Sequence, residues 1–391
     1  MLIRNYGTPW RFLLILGPSL FRVVLRSFWG VHHRARLAAL RVFAGRVWRW
    51  LPGRIRQWRD RVRYPVTLQI VDDVNCRAGC DHCVFNAFDV RGPGLSLDDL
   101  DRLFRQALEL NVTNIYLMGA DPFYRANADA FLGLLAGHRS QMFFLFTEGK
   151  RVTPGHLDAI RRAGNIVPVM NIDGLRDASD RRKGPGTFDV VDALLCRMRD
   201  ARMPYFVTCI VSAANYDEVT GPDFCAWLQD RGAFLLAFLP YTPVDHQAER
   251  DLVMDAPMRA ALFDRSLDLA RKVRRMAVLD LLGIEEHLTS CPAAHDSMTV
   301  YQDGTLTPCP AVTLGRIDAN VRDRTLRDLF RDDGLYRAIR ERRAGLRNKG
   351  EKPGCLFYGD RTFLREYLAA HPGEVRVLNP GSRRIIEEEA D

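Results

Sequence analysis

Short runs of β-branched and aromatic residues alternate with helical stretches from residue 66 to residue 243, and this alternation constrains the fold most strongly. Strands that alternate with helices form βαβ units, with a parallel sheet and right-handed crossovers. Six units are too few for a closed eight-stranded barrel, so the sequence predicts an α/β fold with an open or partial barrel. The six predicted strands are residues 66–72, 113–118, 142–147, 166–172, 205–212 and 233–239.

Unusual residues gather directly after the predicted strands. Three cysteines follow the first strand within residues 76–83, and the second strand is followed by residues 119–122 (GADP). The third strand runs into residues 147–149 (TEG), and residues 173–174 (DG) follow the fourth. Parallel α/β folds place their chemistry at the carboxyl ends of the strands. We therefore expect a functional site at that edge of the sheet.

Cys76, Cys80 and Cys83 have the spacing C-x3-C-x2-C on this first loop. Thiolates are soft ligands that suit iron–sulfur clusters and zinc. Three thiolates can bind three irons of a cubane and leave the fourth iron without a protein ligand. A structural zinc site would need four ligands, and His82, which lies between two of the cysteines, would strain the loop if it served as the fourth. Zinc therefore stands as the weaker alternative.

This spacing after a first strand resembles the signature of the radical S-adenosylmethionine (SAM) superfamily, which has a ring at the position of His82. The resemblance covers about residues 66–245 and implies a partial (β/α)6 barrel of the TIM type. It implies a [4Fe-4S] cluster whose open iron is chelated by the amino and carboxylate groups of SAM. It further implies that SAM is cleaved reductively to a 5′-deoxyadenosyl radical, which abstracts hydrogen from a substrate, and that a reductant such as flavodoxin or ferredoxin is a partner.

Other segments resemble the parts of this superfamily that bind SAM. Residues 119–122 resemble the Gly-Gly-Glu-Pro element that holds the amino group of SAM, with a shorter acid in place of the glutamate. The segment after the fourth strand resembles the one that meets the ribose, and Lys183 stands nearest the place of an arginine that often meets the carboxylate, with Arg181 and Arg182 beside it. The resemblance thus implies these SAM-binding residues: His82, Gly119, Ala120, Asp121, Asn171, Asp173 and Lys183.

The C-terminal third carries a second cysteine pattern. Residues 302–304 (QDG) are typical of a hairpin turn between 297–301 and 305–307. Cys291, Gly304 and Cys309 fit the C-x(9–15)-G-x4-C opening of SPASM and twitch domains, which carry auxiliary iron–sulfur clusters. Only Cys355 follows, so the resemblance implies one auxiliary cluster, held by Cys291, Cys309 and Cys355. Its fourth position would be filled by substrate, water or a side chain such as Tyr358; a hairpin with buried cysteines is the alternative.

Three further residues are weak candidates for catalysis. Glu148 and Tyr124 follow strand ends and would line the substrate cavity, although each would equally suit a surface turn. Cys209 lies within the fifth strand, where it would donate hydrogen if it faced the cavity, but an apolar cysteine is more often part of the core. The nine histidines form no spaced metal set, and the sequence has no P-loop.

The first 64 residues form a basic arm of distinct composition. They contain fourteen arginines, one acid (Asp60) and five of the six tryptophans, so the arm carries +13 and the remaining chain −5. Apolar residues recur at helical spacing over residues 34–51, and Pro52 is expected to end that helix. An arginine-rich amphipathic helix flanked by tryptophans is typical of a membrane interface. A helix packed on the body and a nucleic-acid contact are the alternatives.

The apolar run at residues 12–21 predicts neither a transmembrane helix nor a signal peptide. This apolar run is far shorter than the ~20 residues that span a bilayer as a helix, and it lacks a signal-peptide cleavage pattern. Nine clustered cysteines in 391 residues do not form a secreted disulfide scaffold. We therefore expect a cytoplasmic protein, peripheral on the inner face of the membrane.

The sequence thus predicts an α/β protein in three parts. These are the helical arm (1–64), a radical SAM core (65–255) and a small C-terminal region with an auxiliary iron–sulfur cluster (256–391). The leading hypothesis for function is a radical SAM enzyme that acts on a lipid or lipid-linked substrate at the membrane. The alternatives are a radical SAM maturase of a peptide or protein, and a non-catalytic iron–sulfur or zinc module that binds nucleic acid through the arm. The tryptophans and the negative body speak against nucleic acid.

Overall fold

The computed structural model describes residues 30–90, 92–244, 249–349, 351, 355–357 and 359–387. Residues 1–29 of the arm and Tyr358, both included in the sequence predictions, lie outside these ranges.

A nine-stranded sheet forms the centre of the fold, in the order β7-β6-β5-β4-β3-β2-β1-β8-β9. Every neighbouring pair is parallel except β8 with β9. The first six strands are those predicted, and with their crossover helices they form the predicted partial barrel of the TIM type. The strands are β1 Thr67–Val71, β2 Asn114–Met118, β3 Met142–Thr147, β4 Ile166–Asn171, β5 Phe206–Val211, β6 Leu235–Pro240, β7 Ala277–Asp280, β8 Ser297–Tyr301 and β9 Leu306–Thr307; β10 Leu314–Arg316 and β11 Val375–Val377 form a separate pair.

Three strands, β7, β8 and β9, extend this sheet beyond the six that the sequence predicted for the barrel. β7 adds to the outer side of β6, and β8 adds beside β1, with Thr67 opposite Ser297 and Val71 opposite Tyr301. All five residues of β8 are buried. A strand buried on both faces is typical of a parallel sheet. β8, the first strand of the predicted hairpin, accordingly pairs in parallel with β1, the strand that precedes the cysteine loop.

Helices connect the strands and cover the sheet. The helix before β2 shows how the sequence sets them: Ser96 caps its first turn in a capping box with Asp99, and its buried face includes Leu103 and Phe104. The helices are α1 His33–Trp48, α2 Trp50–Asp60, α3 Leu97–Glu109, α4 Ala128–Gly137, α5 Pro154–Ala163, α6 Arg176–Lys183, α7 Thr187–Asp200, α8 Tyr216–Val219, α9 Pro222–Asp230, α10 Ala256–Lys272, α11 Leu281–Gly283, α12 Leu326–Asp332, α13 Gly334–Asn348, α14 Arg361–Ala370 and α15 Pro380–Glu387. Short 3-10 helices span Val84–Ala87, Pro122–Tyr124 and Arg250–Leu252, and a π-helical turn spans Ile284–Leu288.

The described part of the arm is two helices rather than one. The sequence predicted that the first helix would end at Pro52, but it ends at Trp48 and a second begins at Trp50. Pro52 lies in the first turn of α2, where its missing N–H group has no intrahelical acceptor to lose. Among the described residues, no helix is both long and apolar enough to cross a membrane.

The arm packs against the end of the barrel at which the strands begin. The guanidinium of Arg34 in α1 donates to the carbonyl of Arg162 at 3.3 Å, and Nε of Arg49, between α1 and α2, donates to Asn111 Oδ1 at 3.3 Å. Asn111 precedes β2 and Arg162 precedes β4, so both contacts lie at amino ends of strands. The arm therefore lies at the opposite end of the barrel from the cysteine loop, which follows the carboxyl end of β1.

Candidate functional site

The cysteine loop follows β1, and two of its residues have an unusual backbone conformation. Gly79 (φ 69°) and His82 (φ 54°) adopt left-handed backbone conformations, the second being uncommon for a residue with a side chain. Cys76, Cys80 and Cys83 are all half-buried, and all nine cysteines of the chain are thiols without a disulfide. The loop therefore presents three reduced thiols at the edge where the sequence placed the site.

Gln302, a turn residue of the hairpin, holds both flanks of this loop. Its buried side chain accepts a 2.6 Å hydrogen bond from Val74 N and donates to the carbonyls of Val90 (3.3 Å) and Gly92 (3.4 Å). Sequence reasoning assigned Gln302 to a turn only. The pairing of β8 with β1, which brings it here, had no signal in the sequence.

Gly119 follows β2 and touches the residue that precedes the cysteine loop. It has φ 109°, and a Cβ on it would lie 2.3 Å from the carbonyl oxygen of Asp73. The next residue, Ala120, donates from its backbone N–H to the same carbonyl at 2.6 Å. Only glycine permits this close approach, which fixes the segment of Asp121 against the loop.

The carboxylate of Asp121 is turned into the protein. Asp121 Oδ2 accepts from Thr147 Oγ1 at 2.7 Å and from Glu148 N at 2.8 Å, while Oδ1 accepts from Phe123 N at 2.9 Å. Burial raises the pKa of this carboxyl group. Three of its roughly four acceptor positions are thus used by the protein itself.

Asp121 and Glu148 both contact the cysteine loop, Asp121 through its backbone N–H, which donates to Cys76 Sγ at 3.4 Å, and Glu148 through its carboxylate. Cys80 Sγ is 4.0 Å from Glu148 Oε2, and Lys150 Nζ is 3.1 Å from the same oxygen. The Tyr124 hydroxyl donates to Glu148 Oε1 at 2.6 Å, and the Arg151 guanidinium lies 5.3 Å from the centre of the Tyr124 ring. The structure thus brings two weak catalytic candidates, Glu148 and Tyr124, together beside the cluster loop.

Two cations of α6 connect the segment after β4 to the cysteine loop. Arg182 donates to Asp173 and to Asn171 Oδ1 (3.2 Å), and its Nε donates to the carbonyl of Asp81 at 3.1 Å. Lys183 Nζ donates to the carbonyl of Asn171 and lies 3.8 Å from Asp173 Oδ2. Burial lowers the pKa of Lys183. The sequence favoured Lys183 as the cation here, whereas the structure places both Lys183 and Arg182 in the network.

Two further predicted residues, His82 and Cys209, are not part of this hydrogen-bond network. His82 packs edge-on against the Tyr241 ring, with 5.7 Å between the ring centres. Cys209 is fully buried within β5, and burial raises the pKa of its thiol well above the usual value. This is the placement of a core cysteine.

The donor set of the loop fits an iron–sulfur cluster. Within the described ranges, no three His, Cys, Asp or Glu side chains are close enough together to hold one metal ion. A cubane spreads its ligands over separate irons and does not require that closeness. Burial raises the pKa of the Cys80 thiol to about 11, and the positive charge of Lys183 acts in the opposite direction. An iron–sulfur cluster with three thiolate ligands carries negative charge, and the buried cations Arg182 and Lys183 beside the thiols would offset that charge.

The three C-terminal cysteines also lie close together. A hydrogen bond from Cys355 lowers the pKa of the Cys291 thiol, and burial raises the pKa of Cys309 to about 12. The backbone N–H of Val312 donates to Cys309 Sγ at 3.2 Å. Arg343 is buried beside Cys291, and its Nε has no hydrogen-bond partner among the described residues. Backbone N–H donors to sulfur and a buried cation fit a second cluster.

Comparison with known proteins points to one superfamily. Residues 73–219 match the family described as "Radical SAM superfamily". Comparison with curated protein sequences gave no match.

Solved structures share the fold. The structure of SuiB from Streptococcus suis has 15% identity and a TM-score of 0.62, over 74% of this chain and 71% of that chain. SuiB bound to S-adenosylmethionine gives 15% and 0.60, over 73% and 70%. Native anSMEcpe with bound AdoMet gives 16% and 0.56, over 69% and 82%. At these identities the likeness establishes the architecture.

Proposed function

We propose that the chain acts as a radical SAM enzyme and that Cys76, Cys80 and Cys83 hold its [4Fe-4S] cluster, since the loop lies within residues 73–219, which match the radical SAM superfamily. One observation carries the proposal. The three thiols lie at the carboxyl edge of the sheet, beside a buried carboxylate, Glu148, and a buried cation, Lys183. That combination of a soft donor set with polar groups of both signs suits a zwitterionic cofactor bound to an open iron.

The residues around the loop would bind and orient SAM. When bound, the cluster and SAM supply the one-electron cleavage that gives the 5′-deoxyadenosyl radical. Lys183 would face the SAM carboxylate as a cation, and Asn171 with Asp173 would set the floor beneath the ribose. Since Asp173 already accepts from Ile210 N at 2.6 Å and from Arg182, it would act by shaping that floor.

Anaerobic reconstitution tests this proposal directly. The wild-type chain should bind about four irons at the loop and release 5′-deoxyadenosine when SAM and a reductant are added. A Cys76→Ala, Cys80→Ala, Cys83→Ala triple variant should lose those irons and all release, whereas Cys196→Ala on α7 should retain both. Stoichiometric zinc without iron in the wild-type chain would contradict the proposal.

We propose that the arm docks on a membrane surface. Among the described residues, nine of the thirteen exposed large hydrophobic side chains lie between residues 37 and 58. In α1, Ala38 and Val42 are buried, and Leu40 and Val47 lie on the opposite, exposed side of the helix. The arm carries ten arginines between residues 34 and 63 against one acid. A surface that is both apolar and strongly basic fits an anionic lipid interface.

The position of the arm bears on the substrate. It packs at the amino ends of the strands, so a chain docked through α1 and α2 would hold the cysteine loop at the far end of the barrel. This geometry weakens the argument for a lipid or lipid-linked substrate, which rested on the arm. It favours a substrate that arrives from the aqueous side.

A peptide or protein segment is the class that we favour. SuiB, which shares this fold, has been solved bound to a precursor peptide, SuiA. Peptide and lipid fractions of the host cell would separate the alternatives. We expect the peptide fraction, and not the lipid fraction, to raise 5′-deoxyadenosine release above the rate without substrate.

The C-terminal region would carry the second cluster. Cys291, Cys309 and Cys355 would supply its thiolates and Arg343 its nearby positive charge. The proposed division into 1–64, 65–255 and 256–391 rests on the arm, the six predicted strands and this cysteine set, and β7, β8 and β9 of the central sheet fall in its third part. The non-catalytic alternative, a module that binds nucleic acid through the arm, predicts tight, salt-dependent binding of duplex DNA or RNA and no release of 5′-deoxyadenosine.

A further inference from the structure

The acid that receives the amino group of SAM can be assigned from the hydrogen bonds around Asp121 and Glu148. Resemblance alone gives that role to Asp121. In the structure, however, its carboxylate is 5% exposed and accepts from Phe123 N, Thr147 Oγ1 and Glu148 N, all on the inner side. The acceptor capacity of Asp121 is therefore largely spent within the protein.

Glu148 differs from Asp121 in that its carboxylate, and not its backbone, contacts a cysteine of the loop. Its carboxylate lies 4.0 Å from Cys80 Sγ, and its exposed fraction is only 6%. A carboxylate this close to a cluster thiolate is electrostatically unfavourable unless donors surround it. The structure supplies Tyr124 and Lys150, which lie 2.6 Å and 3.1 Å from its two oxygens. The Cys80 thiol is the third donor to this carboxylate, and it would lose its proton on binding iron, which would free an acceptor position on the side of the loop.

We propose that Glu148 accepts the hydrogen bond from the amino group of SAM. We further propose that the Asp121 carboxylate positions Glu148 by accepting from the backbone N–H of Glu148. Tyr124 fixes the carboxylate from the opposite side. The two acids follow neighbouring strands, β2 and β3: the shorter acid at position 121 is bonded to protein donors, and Glu148 directs its carboxylate to the cysteine loop. This inference rests on the proposed function, since it needs SAM at the Cys76, Cys80 and Cys83 loop.

The assignment is tested by comparing the wild-type chain with Glu148→Gln, each with two ligands. SAM binding to the reconstituted enzyme would be measured by calorimetry, for SAM and for an analogue in which hydrogen replaces the α-amino group. In the wild-type chain the analogue should bind at least about tenfold more weakly, as expected for a hydrogen bond to a charged group. Glu148→Gln should weaken SAM by a similar factor and leave analogue binding unchanged. The matched surface variant Glu109→Gln should bind both ligands like the wild type.

Two further measurements keep the test decisive. Iron content and the thermal midpoint would verify that Glu148→Gln folds and carries its cluster, and Glu148→Asp, which keeps the charge but shortens the reach, would replace it if it does not. The electron paramagnetic resonance signal of the reduced cluster should change on SAM addition in the wild type and change less in the variant. If Glu148→Gln discriminates against the analogue as strongly as the wild type while Asp121→Asn does not, the role belongs to Asp121. If the wild-type chain binds iron but no SAM, the proposed function fails instead.

Discussion

Gln302 Oε1 accepts a 2.6 Å hydrogen bond from the backbone N–H of Val74, two residues before the first cysteine of the cluster loop. The two residues are 228 positions apart in the sequence. Through this contact, and through the bonds of the same side chain to Val90 and Gly92, the C-terminal hairpin holds both flanks of the cysteine loop. We therefore expect cluster assembly at the proposed site to depend on a residue outside the six barrel strands.

Replacing this side chain should impair the cluster. Gln302→Leu would leave the buried N–H of Val74 without its acceptor, at a cost of about 1–3 kcal/mol in the free energy of unfolding. Because the loop would also lose its anchor, we expect reconstituted iron at the Cys76, Cys80 and Cys83 site to fall by half or more. Gln229→Leu is the control, since Gln229 also accepts from backbone N–H groups, those of Arg274 and Arg275, away from the site. Equal iron in both variants would contradict this dependence.

The sequence predicted the features that arise from neighbouring residues, but it could not predict those that arise from contacts between segments far apart in the chain. The six strands and the edge at which the cysteines lie follow from periodicity, because helices and strands leave their repeats in adjacent residues. The roles of Gln302 and Glu148 depend on how β8 pairs with β1 and on how Asp121 turns inward. Neither is encoded in nearby residues. Pro52 shows the same limit on a smaller scale, since its place in a first turn depends on where the preceding helix ends.

Removing the C-terminal cysteines should halve the iron content. If Cys291, Cys309 and Cys355 hold a second four-iron cluster, the wild-type chain should bind about eight irons, and the triple alanine variant about four. The cysteine loop lies elsewhere, so the variant should retain the response of its remaining cluster to SAM. Iron and sulfide analysis with Mössbauer spectroscopy would measure this. About four irons in both chains would mean that these three thiols are only packed together.

Acid should release the second arm helix from the body. The Arg327 side chain donates to Asp60 at 2.6 Å, and this hydrogen bond lowers the pKa of Asp60 from 3.8 to about 2. A carboxyl group with a lowered pKa in the folded state stabilises the fold above its unfolded pKa, and that contribution is lost as the pH falls through about 2. In the apo chain, amide-exchange protection of α2 should therefore fall between pH 4 and pH 2.

Arg327→Ala should abolish that acid-dependent change. Without the guanidinium, the pKa of Asp60 moves back toward its usual value, so the docked arm no longer gains stability from ionisation of this carboxyl group. Protection of α2 should already be lower at neutral pH. Arg331→Ala is the control, because Arg331 lies on the same helix and pairs with Asp332 and Asp328 rather than with the arm. If both variants exchange like the wild type, the ion pair does not hold the arm.

The exposed tryptophans of the arm should govern binding to membranes. Trp48 and Trp58 are 85% and 82% exposed, and indole rings favour the interface between lipid headgroups and acyl chains. We expect the double variant Trp48→Ser, Trp58→Ser to bind liposomes of anionic lipid roughly tenfold more weakly in a flotation assay. Ile317→Ser, which removes an exposed apolar side chain of the body, should float like the wild type. Added salt should weaken wild-type flotation, because the arginines act through screened charge. If the double variant floats as well as the wild type, the exposed tryptophans of the arm do not serve membrane docking.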